Sequence, residues 1–385
     1  MIIYISMLIC PAIVYLLYTV AKSGTDEDLS YESFIYQSNN KIISKEKNNQ
    51  EISLFFCLLI FGYFIFWIGM RTHIADTTQY IIGFNNIPLD FNTDWSNIDW
   101  EGKGPIFEAY KVLFKCFISS DYRWWLMSIA IICSVCVLLV LRKHSVDFFF
   151  SSFLFIATGA YIWMMNGMRQ FTSVAIIFLC CDFIKDGKIV KFLIAVFILS
   201  TIHTTVLLMI PIYFVVRCKP WSSKIALFLG VILLICLFAE PFFAGMDDLL
   251  QGTNYGGITQ QMQVDDGVNP LRVAFFAIPP ILAYWKKEKL EEYFKENKML
   301  PICINMSLVT AALYLVGMVS SGILIGRFPI YCELYNLILI PFLLKYGFDE
   351  KDQKIVRLVY ILILIVYFYL NCPAYYHSDI TKTVY

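Results

Sequence analysis

Five arginines stand at the ends of apolar segments: Arg71, Arg123, Arg169, Arg272 and Arg327. A guanidinium is permanently charged, and its planar fork matches the oxygens of a phosphate. Holding one at membrane depth is costly, so such positions call for a compensating partner. That partner is either an anionic lipid head group received in a positively lined cavity, or ordinary lipid phosphates and acidic side chains. Three of the arginines have neighbours that enrich the chemistry. Arg71 lies in GMRTHIADTTQYIIGF, where Asp76 and Tyr80 share one face if the stretch is helical. Asn166, Arg169 and Gln170, in NGMRQFTSVAI, open an apolar segment. At a helix N-terminus that trio would favour an oxyanion, since the dipole adds to it. Arg327, in IGRFPIYCELY, is followed by Tyr331 and Glu333. His203, in STIHTTV, is of the residue type whose unperturbed pKa lies nearest neutrality, which suits a proton acceptor, or else it satisfies neighbouring hydroxyls. Together these residues could stabilise a phosphate leaving group and accept a proton from a hydroxyl.

The elements that position them are membrane helices. Of 385 residues, 59% are hydrophobic and 16% charged, well below the charge of a soluble surface. Apolar residues come in blocks of spanning length, such as 192–216 and 302–319, without the alternation of barrel strands. Only helices then satisfy the backbone in lipid. The expected fold is an all-α polytopic membrane protein of about 12 transmembrane helices. They are placed near 2–20, 52–70, 123–141, 147–165, 168–184, 189–201, 204–217, 224–243, 269–285, 299–319, 327–345 and 355–371. The first reads as a retained helix rather than a cleaved leader. Residues 1–385 form one membrane domain in this reading, with outer loops at 71–122 and 244–270. Within the first loop, 105–117 is amphipathic and reads as a re-entrant or interfacial helix.

Alternate loops carry most of the 30 basic residues on one side, from Lys22, Lys41, Lys45 and Lys47 to Lys345, Lys351, Lys354 and Arg357. The positive-inside rule makes that side cytoplasmic and turns both termini outward. No inner loop has a phosphate-cradling glycine motif, so no nucleotide-driven engine is expected. The net charge of zero gives no reason to expect nucleic acid as a partner. Cys133 and Cys136 form a C-x-x-C inside an apolar helix, where thiols pack as small hydrophobes. Asp247–Asp248 and Asp265–Asp266 read as solvated loop carboxylates, and no metal or cofactor is expected. Gly322 and Gly326 have the spacing that packs helices, within or between chains.

In their order, Gly69-Met70-Arg71 with Asp76-Thr77-Thr78-Gln79-Tyr80, Gly167-Met168-Arg169-Gln170, Ile202-His203, and Gly326-Arg327 with Tyr331 resemble the EpsG/Wzy-like polysaccharide polymerases. The resemblance runs from about 60 to 345. It departs at Ala75, where the family often has glycine, and it is looser around Glu101 to Glu108. It implies an architecture similar to multispanning lipid-sugar glycosyltransferases of the GT-C type. It also implies a bacterial inner-membrane enzyme that joins undecaprenyl-diphosphate-linked oligosaccharide repeats on the outer face, for O-antigen, capsule or exopolysaccharide, with or without a chain-length regulator. The implied assignments put Arg169 and Arg327 on the diphosphate, with Arg71 and Arg272 as secondary candidates. Asp76 or His203 would be the base, though Asp76 could instead hold Arg71. Tyr80, Asn166, Gln170 and Tyr331 would bind the phosphate or the sugars. Two rivals share the general features: a flippase for the same lipid-linked sugar, and a membrane O-acyltransferase using His203. A flippase would favour deeper charges and two related halves, and neither is visible in the sequence.

Overall fold

A computed structural model describes residues 1–29, 52–88, 100, 104–249, 259–260, 262, 265–371, 376 and 378. Expectations for Lys41, Lys45, Lys47 and Glu101 fall outside these residues, as do most of 89–103 and 250–264. Among the described residues every regular element is helical. The first half contains α1 (Ile2–Leu29), α2 (Leu54–Gly69), α3 (Thr77–Asn85), α4 (Pro105–Phe117), α5 (Tyr122–His144), α6 (Phe148–Ala157), α7 (Met168–Leu179), α8 (Cys181–Lys185) and α9 (Ile189–Ser200). The second contains α10 (Met209–Val216), α11 (Ser223–Leu237), α12 (Ala239–Leu249), α13 (Pro270–Trp285), α14 (Lys287–Glu291), α15 (Met299–Met318), α16 (Ile330–Glu333), α17 (Asn336–Tyr346) and α18 (Glu350–Asn371). The amphipathic stretch in the first outer loop is helical over the expected residues, as α4.

Continuous helices do not reproduce the expected dozen spans. Four are long and apolar enough to cross a membrane: Ile2–Ser23, α5, α15 and α18. Two bent pairs raise the number to six, one turning by 90° after Leu237 and the other by 53° between 333 and 336. The other apolar helices run only 10–17 residues, and in the blocks at 147–165 and 168–184 the chain breaks inside the expected span. One such break is the left-handed Gly159 followed by a 3-10 turn, Ala160–Met164, and another is Cys180; the break at 201–203 falls between the two short spans expected at 189–201 and 204–217. Irregular backbone at membrane depth survives only where protein or a water-filled cavity surrounds it. The breaks are therefore the places where polar chemistry can enter.

The core is built from aromatic side chains. Trp125 on α5 is fully buried and stacks on Phe84 of α3, with ring centroids 5.2 Å apart. Phe61 of α2 stacks on Phe155 of α6 at 6.0 Å. Cys133 and Cys136 are buried and unbridged, and Cys133 lies 3.7 Å from the Thr172 hydroxyl, in keeping with a packing role. Gly326 and Gly317 meet within the chain: a Cβ on Gly317 would stand 3.1 Å from the Gly326 Cα.

The two ends of the bundle are held by different contacts. At one end Ser378 bridges to Arg71, and Tyr376 meets Tyr4 edge-on, so residues near both termini lie beside Arg71. At the other end basic and acidic residues of the short loops pair: Lys143 with Asp182, Arg357 with Asp147 and Lys289 with Asp349.

Candidate functional site

The five arginines do not line one cavity together; the structure gives them different surroundings. Arg123 is an exposed ion pair with Asp121, the residue that caps α5. Arg71 is buried, and its guanidinium faces protein acceptors. Nη1 donates to the Ile68 carbonyl at 2.6 Å, Nε to the Thr77 hydroxyl at 2.9 Å and Nη2 to the Met164 carbonyl at 3.2 Å. Ile68 closes α2 and Met164 closes the 3-10 turn, so both carbonyls lack a partner within their own helices. Two negative helix ends therefore converge on one positive charge, which accounts for a buried arginine with no carboxylate beside it among the described residues.

Asp76 does not hold Arg71: it precedes α3, is partly exposed, and its side chain makes no hydrogen bond or ion pair among the described residues. Asp76 follows Ala75, which sits at φ 48°, in the left-handed region that L side chains avoid. A left-handed alanine costs roughly 1–2 kcal/mol. Ala75 is exposed, so no packing offsets the cost. Ala75→Gly is expected to leave the unfolding temperature unchanged or to raise it slightly. The relieved strain outweighs the roughly 0.5–1 kcal/mol of extra chain entropy. Ala75→Val should lower it. Thermal unfolding in detergent distinguishes the two.

The remaining motifs are brought together by breaks in the apolar segments. The Thr77 hydroxyl donates to the Met165 carbonyl at 3.2 Å, tying the Asp76 segment to the residue before Asn166. Asn166 and the left-handed Gly167 lead into α7, so Arg169 and Gln170 stand in its first turn, as expected. The Gln170 amide donates to the Arg327 backbone carbonyl at 3.2 Å. Arg327 ends a 3-10 turn, Ile325–Arg327, and its guanidinium makes no hydrogen bond or ion pair among the described residues. His203 lies in the break between α9 and the 3-10 turn Thr204–Leu208. Its Nδ1 meets the Thr205 hydroxyl at 2.7 Å, and that hydroxyl meets the Tyr331 hydroxyl at 2.9 Å. The histidine thus satisfies a neighbouring hydroxyl and also joins a short relay into the Arg327 segment.

Residues in the loosely matching region belong to this cluster too. The Ile106 N–H donates to the Thr201 carbonyl at 3.2 Å, docking the start of α4 beside Ile202 and His203. Gly104, at φ 78°, allows this approach, because a Cβ there would collide with the Ile202 carbonyl and lie 3.5 Å from the Arg169 Cδ. Tyr80 packs edge-on against Phe107 of the same helix, with centroids 6.2 Å apart. Lys115, which the sequence reading passed over, holds α3 against α4. Its buried Nζ donates to the carbonyls of Phe84, Asn85 and Ile87 at 2.9, 2.8 and 2.6 Å. Only the orphan carbonyls at the end of α3 reveal that role, and a sequence does not display them.

Arg272 stands apart from the other candidates, on α13, hydrogen-bonded to Tyr367 and electrostatically coupled to Glu333. Glu333 is 5% exposed and accepts a 2.6 Å hydrogen bond from the Tyr314 hydroxyl. A buried carboxylate with a nearby guanidinium and a tyrosine donor is a satisfied network, which holds α16, the helix that carries Tyr331, in place.

Two loop carboxylates expected to be solvated have protein partners. Asp247 accepts from the Thr259 N–H at 2.8 Å. Asp265 accepts from the Ser321 hydroxyl and the Ile323 N–H, both at 2.8 Å, and so ties the second outer loop to the turn before Arg327. Burial alone would raise the Asp265 pKa, but these bonds and those from the Gly267 and Gly322 N–H groups hold it below the usual carboxylate value. A depressed folded pKa means the contribution is complete above the unfolded value of about 3.9 and is lost as pH falls through the folded one. Asp265→Asn should therefore unfold at a lower temperature than wild type by a constant gap from pH 7 to 5. That gap should narrow below about pH 4. Thermal scans across that range check this.

The chain matches the EpsG family over residues 53–382 and belongs to it. No curated protein and no solved structure matches. Family membership and the apolar helices together suggest a membrane-embedded protein with a polysaccharide-polymerase-like function.

Proposed function

We propose that this EpsG-family chain polymerises lipid-diphosphate-linked oligosaccharide repeat units at the outer face of the bacterial inner membrane. The donor is an undecaprenyl-diphosphate-linked sugar, and the acceptor is a hydroxyl of a second lipid-linked repeat. The acceptor oxygen attacks the anomeric carbon, and the bond from that carbon to the diphosphate oxygen breaks. The lipid diphosphate departs with the bonding pair, and the hydroxyl proton passes to a base. The leaving group is already activated, so the protein's main task is to stabilise the charge that develops on it. Fixed guanidinium groups do this well where water is scarce.

The observation that carries this reading is the convergence of three broken segments. The start of α7 is hydrogen-bonded to Arg327 at the end of its 3-10 turn, and the break at 201–205 is hydrogen-bonded to Tyr331, four residues further on in α16. A break in a membrane helix frees backbone and helix termini for a polar substrate, as in transporters that bind at discontinuous helices. Arg327, whose guanidinium has no protein partner among the described residues, and Arg169, in the same cluster, take the diphosphate. Gln170 and Asn166 add amide donors from the same helix start. His203 is the better-placed base, because it shares a hydroxyl relay with Tyr331, while Asp76 lies on the adjoining segment. Partly exposed Tyr80 is the candidate to contact the sugars, while buried Tyr331 serves through its hydroxyl relay, and Arg71 and Arg272 serve as positioning residues.

The test is an assay of the purified protein in detergent, supplied only with lipid-linked repeat units and no nucleotide. A ladder of products that disappears in Arg169→Ala and Arg327→Ala, with unfolding temperatures unchanged, supports the proposal. No ladder, together with passage of the lipid-linked sugar across liposome membranes, replaces it with the flippase reading.

A further inference from the structure

At the end of the bundle opposite the arginines, four lysines from four separate segments converge on a cavity of about 800 Å³. Lys143 lies at the end of α5 and Lys185 at the end of α8, while Lys298 precedes α15 and Lys345 lies near the end of α17. Glu296 is the one acid in the lining. Lys143 and Lys185 are partly neutralised, since both hold the Asp182 carboxylate. Lys298 and Lys345 are exposed and make no ion pair among the described residues. The wall also contains Asn297, whose side-chain oxygen accepts from the Met299 and Leu300 N–H groups at 3.1 and 3.2 Å and so caps α15. This 20-residue helix begins at the cavity, and its dipole adds positive potential there.

A surplus of lysine on this side follows from the positive-inside bias, which sets sign but not arrangement. Lysines obeying only that bias spread over the membrane surface, as Lys191 and Lys224 do, both exposed and outside the cavity. Convergence of four from different helix ends on one concave wall, against a single acid, focuses the potential on a bound anion. A cavity of this size is in the range that takes a ligand rather than a lone ion. We propose that it binds a phosphate-bearing anion, through Lys298 and Lys345 with Lys143 and Lys185 behind them. The phosphate belongs either to a soluble ligand or to the head group of an anionic lipid in the adjacent leaflet. This is independent of the polymerase reading, because the cavity lies at the far end from Arg327.

Two probes distinguish the sources. Inorganic pyrophosphate is titrated into the protein in zwitterionic detergent and followed by calorimetry. Retention of phosphatidylglycerol is followed by native mass spectrometry. Lys298→Gln combined with Lys345→Gln is compared with Lys191→Gln combined with Lys224→Gln; none of the four lysines makes an ion pair among the described residues, so folding is preserved. The expected result is that at least one probe binds wild type and is weakened about tenfold or more by the cavity pair, and not by the control pair. A loss confined to pyrophosphate identifies a soluble ligand, and one confined to phosphatidylglycerol identifies the lipid. The proposal is overturned if neither probe binds wild type, or if both pairs weaken binding equally.

Discussion

Arg327→Ala should slow chain extension by about 10²- to 10³-fold, the usual cost of removing one charge-stabilising donor from a reacting centre, while the unfolding temperature stays within about 1 °C. The two parts of this expectation have separate structural grounds. The backbone around Arg327 is held without its side chain. Gln170 donates to its carbonyl, Asp265 clamps the preceding turn, and Gly326 packs against Gly317. Truncating a partly exposed guanidinium with no protein partner among the described residues then removes little folding energy. The catalytic loss comes from the charge on the departing diphosphate, which in a water-poor site has few other donors. Arg327→Lys restores the charge without the planar fork, so it should recover part of the rate and leave about a tenfold defect. Initial rates over a range of lipid-linked substrate separate the effects. A fall in kcat with little change in KM marks an interaction made in the transition state, and a rise in KM alone would reduce Arg327 to simple binding.

The sequence marked candidate residues better than it marked their arrangement. Arg169, Gln170, His203, Arg327 and Tyr331 stand out because charged and amide groups are rare in apolar blocks, and the structure brings them to one cluster. The break at 202–203 was legible as the joint between two short apolar spans, but the others were hidden. The block at 147–165 reads as continuous by hydropathy, yet it stops at Ala157, because Gly159 turns left-handed and a tight 3-10 turn follows. Hydropathy measures whether a segment tolerates lipid and says little about whether its backbone stays regular. That difference explains why about a dozen spans were expected and four to six continuous or once-bent helices reach spanning length. Partner choice was equally illegible. Arg71 and Arg327 occupy similar settings, each just after a glycine at the end of an apolar run, yet one is fully engaged and the other is not. Which carbonyls are left over at a helix end depends on where the helix stops, and the sequence marked those ends only approximately.

That contrast makes Arg71→Ala the most damaging of the arginine substitutions for folding, and for a different reason. Removing the side chain leaves the Ile68 and Met164 carbonyls without their donors and takes a partner from Thr77 in a buried site. Each buried polar group left unsatisfied costs about 1–3 kcal/mol, so the variant should lose about 3–5 kcal/mol. The stabilities of folded proteins are commonly only 5–15 kcal/mol, so the yield of folded protein should fall sharply. Arg71→Lys should be nearly as harmful: its single ammonium cannot reach the end of α2, the 3-10 turn and the Thr77 hydroxyl in the directions the fork does. The damage should extend to the site, because the Thr77 contact to Met165 anchors the chain just before Asn166 and Arg169. Thermal unfolding and activity measured on the same preparations separate a folding role from a substrate role. Loss of both together fits a residue that builds the site without touching the substrate. An Arg71→Ala protein that unfolds at the wild-type temperature yet makes no polymer would instead place the guanidinium on the diphosphate, against the geometry that turns it toward the two helix ends.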